Sequence, residues 1–371
     1  MAPLRVAFDS GPLYGHKTGI GFAVEALRAA LRQRSDVELH QYVLSFRAQL
    51  EDDATRLPLP AAMAIRAWAH IDHPTVDRWL GDAQLVHGTN YVVPPPRRPA
   101  LVSVYDCWFL RHPEQADVAV RRAGDVLRAA VRRGAAVHTS SHATADAVRE
   151  LLPDADVHTI HLAPLPLHTD IGSTAPLAMP ELGGRPFVLS IGTIERRKNL
   201  PRLVAAFGLI ASEVPDLALV LAGGPGDDSP AVDAAIDALP ADVAHRVVRT
   251  GRVDEPVRSW LLSTATVIAY PSLDEGFGFP VLDAMQAGVP VVASTAGSIP
   301  EIAGDAALLV PADDTVAIAH ALVTAVTDDA ARRRLVAAGD AQWRLFSWQR
   351  CADEMVSLYG RLVQGDTAAR S

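Results

Sequence analysis

The feature that most constrains this chain is a regular alternation of short apolar runs with longer helical patterns, sustained from residue 4 to residue 310. Short runs bounded by turn residues and separated by amphipathic stretches mark parallel strands joined by crossover helices. In the first half the runs fall at 4–8, 37–43, 85–87, 101–104, 136–139 and 157–160, with a helix expected over 21–33. A second series begins at Pro186, with runs at 187–191, 218–222, 247–250, 266–270, 289–293 and 307–310 and helices expected over 200–212, 256–264 and 280–287. Between them, residues 161–185 become rich in Pro, Gly, Ser and Thr, including Pro164, Pro166, Pro176 and Pro180. The expected fold class is α/β. It comprises a Rossmann-like domain over 1–165, a linker over 166–185 and a second Rossmann-like domain over 186–346, with a ligand cleft between the domains. A last helix over 347–363 is expected to cross back to the first domain, and the tail 364–371 to be disordered.

Composition narrows the function. No apolar run reaches the ~20 residues that a spanning helix needs, and the N-terminus reads as a buried strand rather than a signal peptide. A cytoplasmic protein is expected. Cys107 and Cys351 are the only cysteines, far apart, with neither a disulfide framework nor metal-ligand spacing. The net charge of −9 argues against nucleic acid as a partner. That charge is uneven: residues 1–175 carry 18 basic and 19 acidic groups, and the remainder 16 and 24. The nearly neutral first half contains an arginine-rich stretch, Arg121, Arg122, Arg128, Arg132 and Arg133. It reads first as a solvated helix face. The second reading is a surface for an anionic acceptor or lipid headgroups, which would put the N-terminal domain in peripheral contact with the inner face of the membrane.

Lys17 and Lys198 are the only lysines beside 32 arginines, and Asn90 and Asn199 the only asparagines. A compact ammonium differs from a planar fork, so these residues mark places where the commoner substitute does not serve. The strongest local signal is Pro271-Ser-Leu-Asp-Glu-Gly-Phe-Gly-Phe-Pro-Val-Leu-Asp-Ala-Met285. A strand ends at Tyr270, Glu275 precedes Gly276 and Gly278, and Pro280 opens a helix, where its missing N–H is no loss. The glycines let backbone N–H groups approach a ligand closely. Read without further context, the same segment is a tight strand-to-helix turn with a capping carboxylate.

The segment resembles the Glu-x7-Glu motif of retaining glycosyltransferases with the GT-B fold, in glycosyltransferase family 4. The loop Gly192-Thr-Ile-Glu-Arg-Arg-Lys-Asn-Leu200 is similar to that family's basic loop. Further likenesses follow in family order: Leu219–Gly226, Gly251-Arg-Val253, Ala287–Ala293, Gly297–Glu301, and in the first half Thr18-Gly-Ile-Gly21, His87–Tyr91 and Asp106–Glu114. The resemblance implies that Lys198 and Arg197 stabilise a leaving diphosphate and that Glu275 holds the sugar. It gives Asp283 the ribose, Arg252 and Val253 the base, and the backbone around Gly276, Phe277, Gly278 and Phe279 the donor. Gly19, Ile20 and Gly21 would meet phosphates at the first helix, while Lys17, His87, Asn90, Tyr105 and Asp106 would contact sugar or acceptor. The donor implied is a nucleotide sugar, GDP-mannose first and a dTDP- or UDP-linked or 6-deoxy hexose second. The acceptor is a glycan, a lipid-linked sugar or a small molecule.

No metal or cofactor is expected, because no Asp-x-Asp loop follows a strand. The chain departs from the family pattern twice. Asp283 is one methylene shorter than the usual Glu, and Tyr105-Asp106 replaces the usual His-Asp. His87 is a candidate stand-in for that histidine, although a histidine at a strand end is more often a packed core residue. Two other classes stay open. A nucleotide-binding oxidoreductase needs Gly-x-Gly-x-x-Gly, of which residues 18–23 supply only part; a carbohydrate-binding pseudoenzyme is opposed by the intact Glu275 and Lys198.

Overall fold

The first apolar run becomes strand β1, Leu4–Asp9, and its sheet neighbours are reached by crossovers rather than hairpins. The computed structural model describes residues 2–15, 18–50, 53–167, 182 and 184–370. The chain divides into two units, residues 1–163 with 346–371, and residues 164–345. Most of the stretch expected as a linker, 166–185, lies outside the described residues.

In the first unit, β1 is joined by β2 (Val37–Val43), β3 (Ala54–Arg56), β4 (Leu85–Gly88), β5 (Ala100–Val104), β6 (Ala136–Thr139) and β7 (Val157–Thr159). All pair in parallel, in the order β3-β2-β1-β4-β5-β6-β7. Helices α1 (Gly19–Arg32), α2 (Ala61–Trp68), α3 (Trp108–Arg111), α4 (Val118–Arg132) and α5 (His142–Leu151) connect them. Helices on both faces leave a parallel strand no solvent side, and β4 and β6 are buried at every position. Trp68, Val86, Val102, Leu127 and Val137 share one core. Strand β3 has no counterpart in the sequence reading. Its Ala-Thr-Arg offers one apolar residue, and it exists because Thr55 pairs with Tyr42 at the sheet edge.

The second unit repeats the plan with β8 (Phe187–Ile191), β9 (Ala218–Ala222), β10 (Val247–Gly251), β11 (Val267–Tyr270), β12 (Val291–Ser294) and β13 (Leu308–Val310), ordered β10-β9-β8-β11-β12-β13. Its helices are α6 (Leu200–Ile210), α7 (Ser229–Asp237), α8 (Ala241–Ala244), α9 (Glu255–Thr264), α10 (Phe279–Gln286), α11 (Ile299–Ala303), α12 (Thr315–Thr327) and α13 (Asp329–Trp343). Val188, Leu203, Phe207, Leu219 and Leu322 form its core.

The last helix, α14 (Trp348–Arg370), belongs to the first unit and packs on α1 and β4. The tail expected to be disordered is therefore helical as far as Arg370. Among the described residues, no helix is long and apolar enough to cross a membrane.

Tyr359 of α14 ends a buried polar chain. Its hydroxyl meets His87 Nδ1 at 2.7 Å, His87 Nε2 meets Ser103 Oγ at 2.8 Å, and Ser103 Oγ meets His138 Nδ1 at 2.9 Å. His138 Nε2 then donates to the carbonyl of Ile160 at 3.1 Å. Burial pushes both imidazoles toward the neutral form, His138 down to about 4 and His87 well below its ordinary value, with His138 adding to the effect. This corrects one expectation: His87 has no exposed surface and both ring nitrogens are engaged, so it is a core residue and not a sugar contact. Replacing Tyr359 with Phe would leave His87 Nδ1 buried and unpaired. The expected cost is about 1–3 kcal/mol of stability, read from urea unfolding; an unchanged midpoint would show that this bond does not hold α14 in place.

Candidate active site

Doubly wound sheets bind ligands beyond the carboxyl ends of their strands, where the strand order reverses. In the second unit the reversal falls between β8 and β11. After β8 the chain must nest against the neighbouring loop. An added Cβ on Gly223 would stand 1.8 Å from the Gly192 carbonyl oxygen, so only glycine fits there. A short 3-10 turn, Arg196–Lys198, then ends at Asn199, whose φ is 57°. Asn tolerates the left-handed region because its short polar side chain finds local partners. Here Asn199 Nδ2 donates to the carbonyls of Pro271 (3.0 Å) and Ala312 (2.7 Å), and Leu273 N–H donates to the Arg197 carbonyl at 2.7 Å. The basic loop is thereby fastened to the end of β11.

The facing loop carries Glu275. Ser298 N–H donates to its carbonyl at 2.9 Å, and Gly297, at φ 55°, sits so close that a Cβ would lie 2.4 Å from that oxygen. Gly278, at φ 91°, turns the chain into α10, with Pro280 in the first turn.

The two loops converge on one atom. Lys198 Nζ lies 2.6 Å and Arg197 Nη1 2.8 Å from Glu275 Oε1. The Lys198 ammonium also donates to the Tyr270 hydroxyl, and Arg197 Nε reaches Glu195 at 3.1 Å. The Glu275 side chain is 6% exposed. Burial alone would raise its pKa, but Arg197 and Lys198 prevail and hold it at about 2. Burial and the neighbouring Arg197 lower the pKa of Lys198, while Glu275 raises it. With an ionised carboxylate at 2.6 Å, the ammonium keeps its proton at neutral pH.

Asp283 of α10 is buried and has a partner on each oxygen. Arg258 of α9 binds Oδ2, and Leu165 N–H donates to Oδ1 at 3.0 Å. Burial raises this carboxyl to about 6, against the pull of Arg258. Each oxygen thus has one partner, and an ionised carboxylate can accept about two hydrogen bonds on each. Arg252 and Val253 follow β10, with the Arg252 side chain packed over Gly224. Gly276, Phe277 and Gly278 are buried, and the Phe277 ring lies 5.0 Å from that of Phe279.

In the first unit the reversal falls between β1 and β4. Gly19, Ile20 and Gly21 form the first turn of α1; Lys17 lies outside the described residues. Asn90 follows β4, and Tyr105 and Asp106 follow β5. Tyr105 is 7% exposed, its ring edge-on to the half-buried Tyr91 and the buried His138. Three residues escaped the sequence reading. Arg258 looks like any helical arginine until its partner is seen. Asp9 ends β1, where burial raises its carboxyl to about 7 although the Gly11 N–H donates to it at 2.8 Å. Tyr91 is the third.

Residues 185–328 match the family of glycosyl transferases group 1. That match falls wholly within the second unit. Over 180 residues the chain is 34% identical to O-antigen chain mannosyltransferase B of Escherichia coli, covering 48% of this chain and 47% of that protein. The chain thus spans about half the length of this curated relative. Over 339 residues it is 28% identical to a phosphatidyl-myo-inositol mannosyltransferase of Mycobacterium leprae (strain TN), covering 87% and 85%. Among solved structures, sucrose-phosphate synthase from Thermosynechococcus elongatus superposes with a TM-score of 0.73 at 20% identity, covering 98% of this chain and 100% of that one. A glycosyltransferase involved in lipopolysaccharide biosynthesis gives 0.71 at 13% identity, covering 96% and 99%. The fold is GT-B, and the chain resembles bacterial mannosyltransferases of that fold.

The Glu275 cluster has a pH signature. Its folded pKa of about 2 lies below the ordinary 4.5, so its stabilisation is present above pH 4.5 and is lost as pH falls toward 2. Glu275→Gln should therefore be less stable than wild type by roughly 3 kcal/mol at pH 7. The gap should narrow in urea denaturation series carried below pH 4.5. A gap that does not change with pH would show that the Glu275 charge is not what the two cations hold.

Proposed function

We propose that the chain is a retaining, metal-independent hexosyltransferase that moves mannose from GDP-mannose to a glycan, lipid-linked or small-molecule acceptor. The observation that carries this reading is the pair of cations sharing one Glu275 oxygen at the strand reversal. A nucleotide sugar reacts by expelling its diphosphate, and charge developing on that group needs fixed cations. An ammonium has three donors, and Lys198 places two of them on Glu275 and Tyr270, which sets the direction of the remaining one. Glu275, ionised and buried, is suited to accept hydrogen bonds from sugar hydroxyls beside the reacting carbon. The acceptor oxygen then forms its bond on the face from which the diphosphate departs, and the acceptor proton passes to the leaving phosphate. The N-terminus of α10 and the backbone of Gly19, Ile20 and Gly21 offer N–H groups to phosphate. The cationic side chains do the work that a metal would otherwise do.

Mannose is favoured because several of the relatives matched in sequence are named as mannosyltransferases; a UDP- or dTDP-linked hexose is the alternative donor. A screen following nucleotide release from GDP-mannose, UDP-glucose and dTDP-rhamnose decides between them, and release from none of the three would overturn the reading. Glu275→Gln should lower kcat at least ~100-fold while GDP still binds, because the lost contact is with the reacting sugar. Turnover at the wild-type rate would remove Glu275 from the active site. Activity should also survive EDTA, and strict dependence on added Mg²⁺ or Mn²⁺ would contradict the proposed mechanism.

A further inference from the structure

The first unit lines a cavity of about 220 Å³ at the edge of its sheet where the strands begin. Residues 93–100, which lead into β5, form one wall; residues 130 and 133–135, at the end of α4 and before β6, form the other. In a parallel sheet this edge lies opposite the loops that follow the strands. The cavity is therefore separate from the glycosyl-transfer chemistry, and the Glu275 cluster lies in the other unit.

Its lining is poor in backbone donors. Pro94, Pro95, Pro96 and Pro99 have no N–H. The Arg97 N–H is spent on Asp77 Oδ1 at 3.0 Å, and the N–H groups of Arg133, Gly134 and Ala135 cap the last carbonyls of α4 at 2.9–3.1 Å. That capping also satisfies carbonyls that would otherwise repel an anion from a helix C-terminus. The side chains supply the donors instead. Among the described residues, every ionisable side chain of the lining is an arginine: Arg97, Arg98 and Arg133. Arg98 is held by the carbonyls of Ala83 and Gly81, the second at 2.9 Å, with Asp77 3.6 Å away. Arg133 is held through Nε by Asp72, and through Nη2 by the carbonyls of Trp68 (2.8 Å) and Ile71 (3.0 Å). Its Nη1 is buried and, among the described residues, has no hydrogen-bond partner. An unmet donor on a charged group is costly, and an acceptor in the cavity, met by a turn of the guanidinium, would relieve that cost.

We propose that this cavity binds a compact phosphate-class anion, held by Arg133 and Arg98 with Arg97 at its rim. A guanidinium presents its N–H groups in a fork that matches phosphate oxygens, and arginines already fastened to backbone carbonyls lose little freedom on binding one. The volume lies below the ~300–1,000 Å³ of pockets that take drug-sized molecules. It suits inorganic phosphate, a diphosphate or a small phosphate ester, and is too small for a nucleotide sugar.

The test is calorimetric titration of the full chain with pyrophosphate, in the presence of saturating GDP. Wild type and Lys198→Ala should bind pyrophosphate alike. Arg133→Lys, which keeps the charge and loses the fork, should bind at least ~10-fold more weakly. Arg97→Ala should bind about 3- to 5-fold more weakly, since its charge acts from an exposed rim; this variant decides the matter if Arg133→Lys fails to fold. On binding, amide hydrogen exchange should slow over residues 97–100 and 131–137 and stay unchanged over 192–199. No binding to wild type, or equal affinity in Arg97→Ala and wild type, overturns the site. Binding lost in Lys198→Ala but kept in Arg97→Ala also overturns it, by placing the anion on the basic loop of the second unit. Inorganic phosphate and mannose 1-phosphate, titrated in turn, identify the source. Tighter binding of the ester supports an organic phosphate as the occupant, tighter binding of the inorganic ions supports a free anion, and either result upholds the site.

Discussion

Parallel pairing is the constraint on which the rest depends. A strand that must be followed by a parallel neighbour cannot turn back in a hairpin, so its chain leaves one edge of the sheet and returns at the other. Each unit consequently sends the loops that follow its strands to a single edge. Lys198 and Glu275, 77 residues apart, meet because β8 and β11 are neighbours and the crossovers leave them in opposite directions. Glycines matter where two such loops must interleave, as Gly223 does beneath Gly192 and Gly297 beneath Glu275.

What the topology brings together, electrostatics makes exacting. Three charges share a nearly dry volume in which each ion would be costly alone, and the half-exposed Glu195 meets Arg197 from outside it. Under the proposed function, a departing diphosphate is a further anion that the two cations would meet. Asp283 and Arg258 make a second buried pair on α10 and α9, and their balance is closer to even. The first joins two loops that follow different strands. The second closes on itself and holds the backbone of Leu165.

Much of this was legible in the sequence, for identifiable reasons. Buried parallel strands are largely apolar, and the runs at 187–191 and 218–222 coincide with β8 and β9 residue for residue, as do the more mixed stretches 37–43 and 136–139 with β2 and β6. The scarcity of asparagine pointed to Asn199, whose backbone conformation and two amide bonds show what arginine-rich chemistry could not replace. β3 was not legible, because only pairing with β2 makes Ala-Thr-Arg a strand. His87 misled because a strand-end histidine looks the same whether it faces a ligand or Tyr359. Tyr91 gave no sign at all: sequence betrays a left-handed backbone through Gly or Asn, and here packing forces the conformation on a tyrosine.

The return of α14 means that the first unit is completed by a helix that follows the whole second unit in sequence. A polypeptide emerging from the ribosome has made β1 through β7 long before Tyr359 exists, and must then produce residues 164–345, which form a continuous unit able to complete itself first. Through that interval the surface of α1 and β4 that Met355, Leu358 and Tyr359 will cover lies open, with His87 Nδ1 facing water. The unit that begins first is thus the last to finish. Its uncovered apolar face is the part of the nascent chain that a chaperone, or a neighbouring copy, would meet.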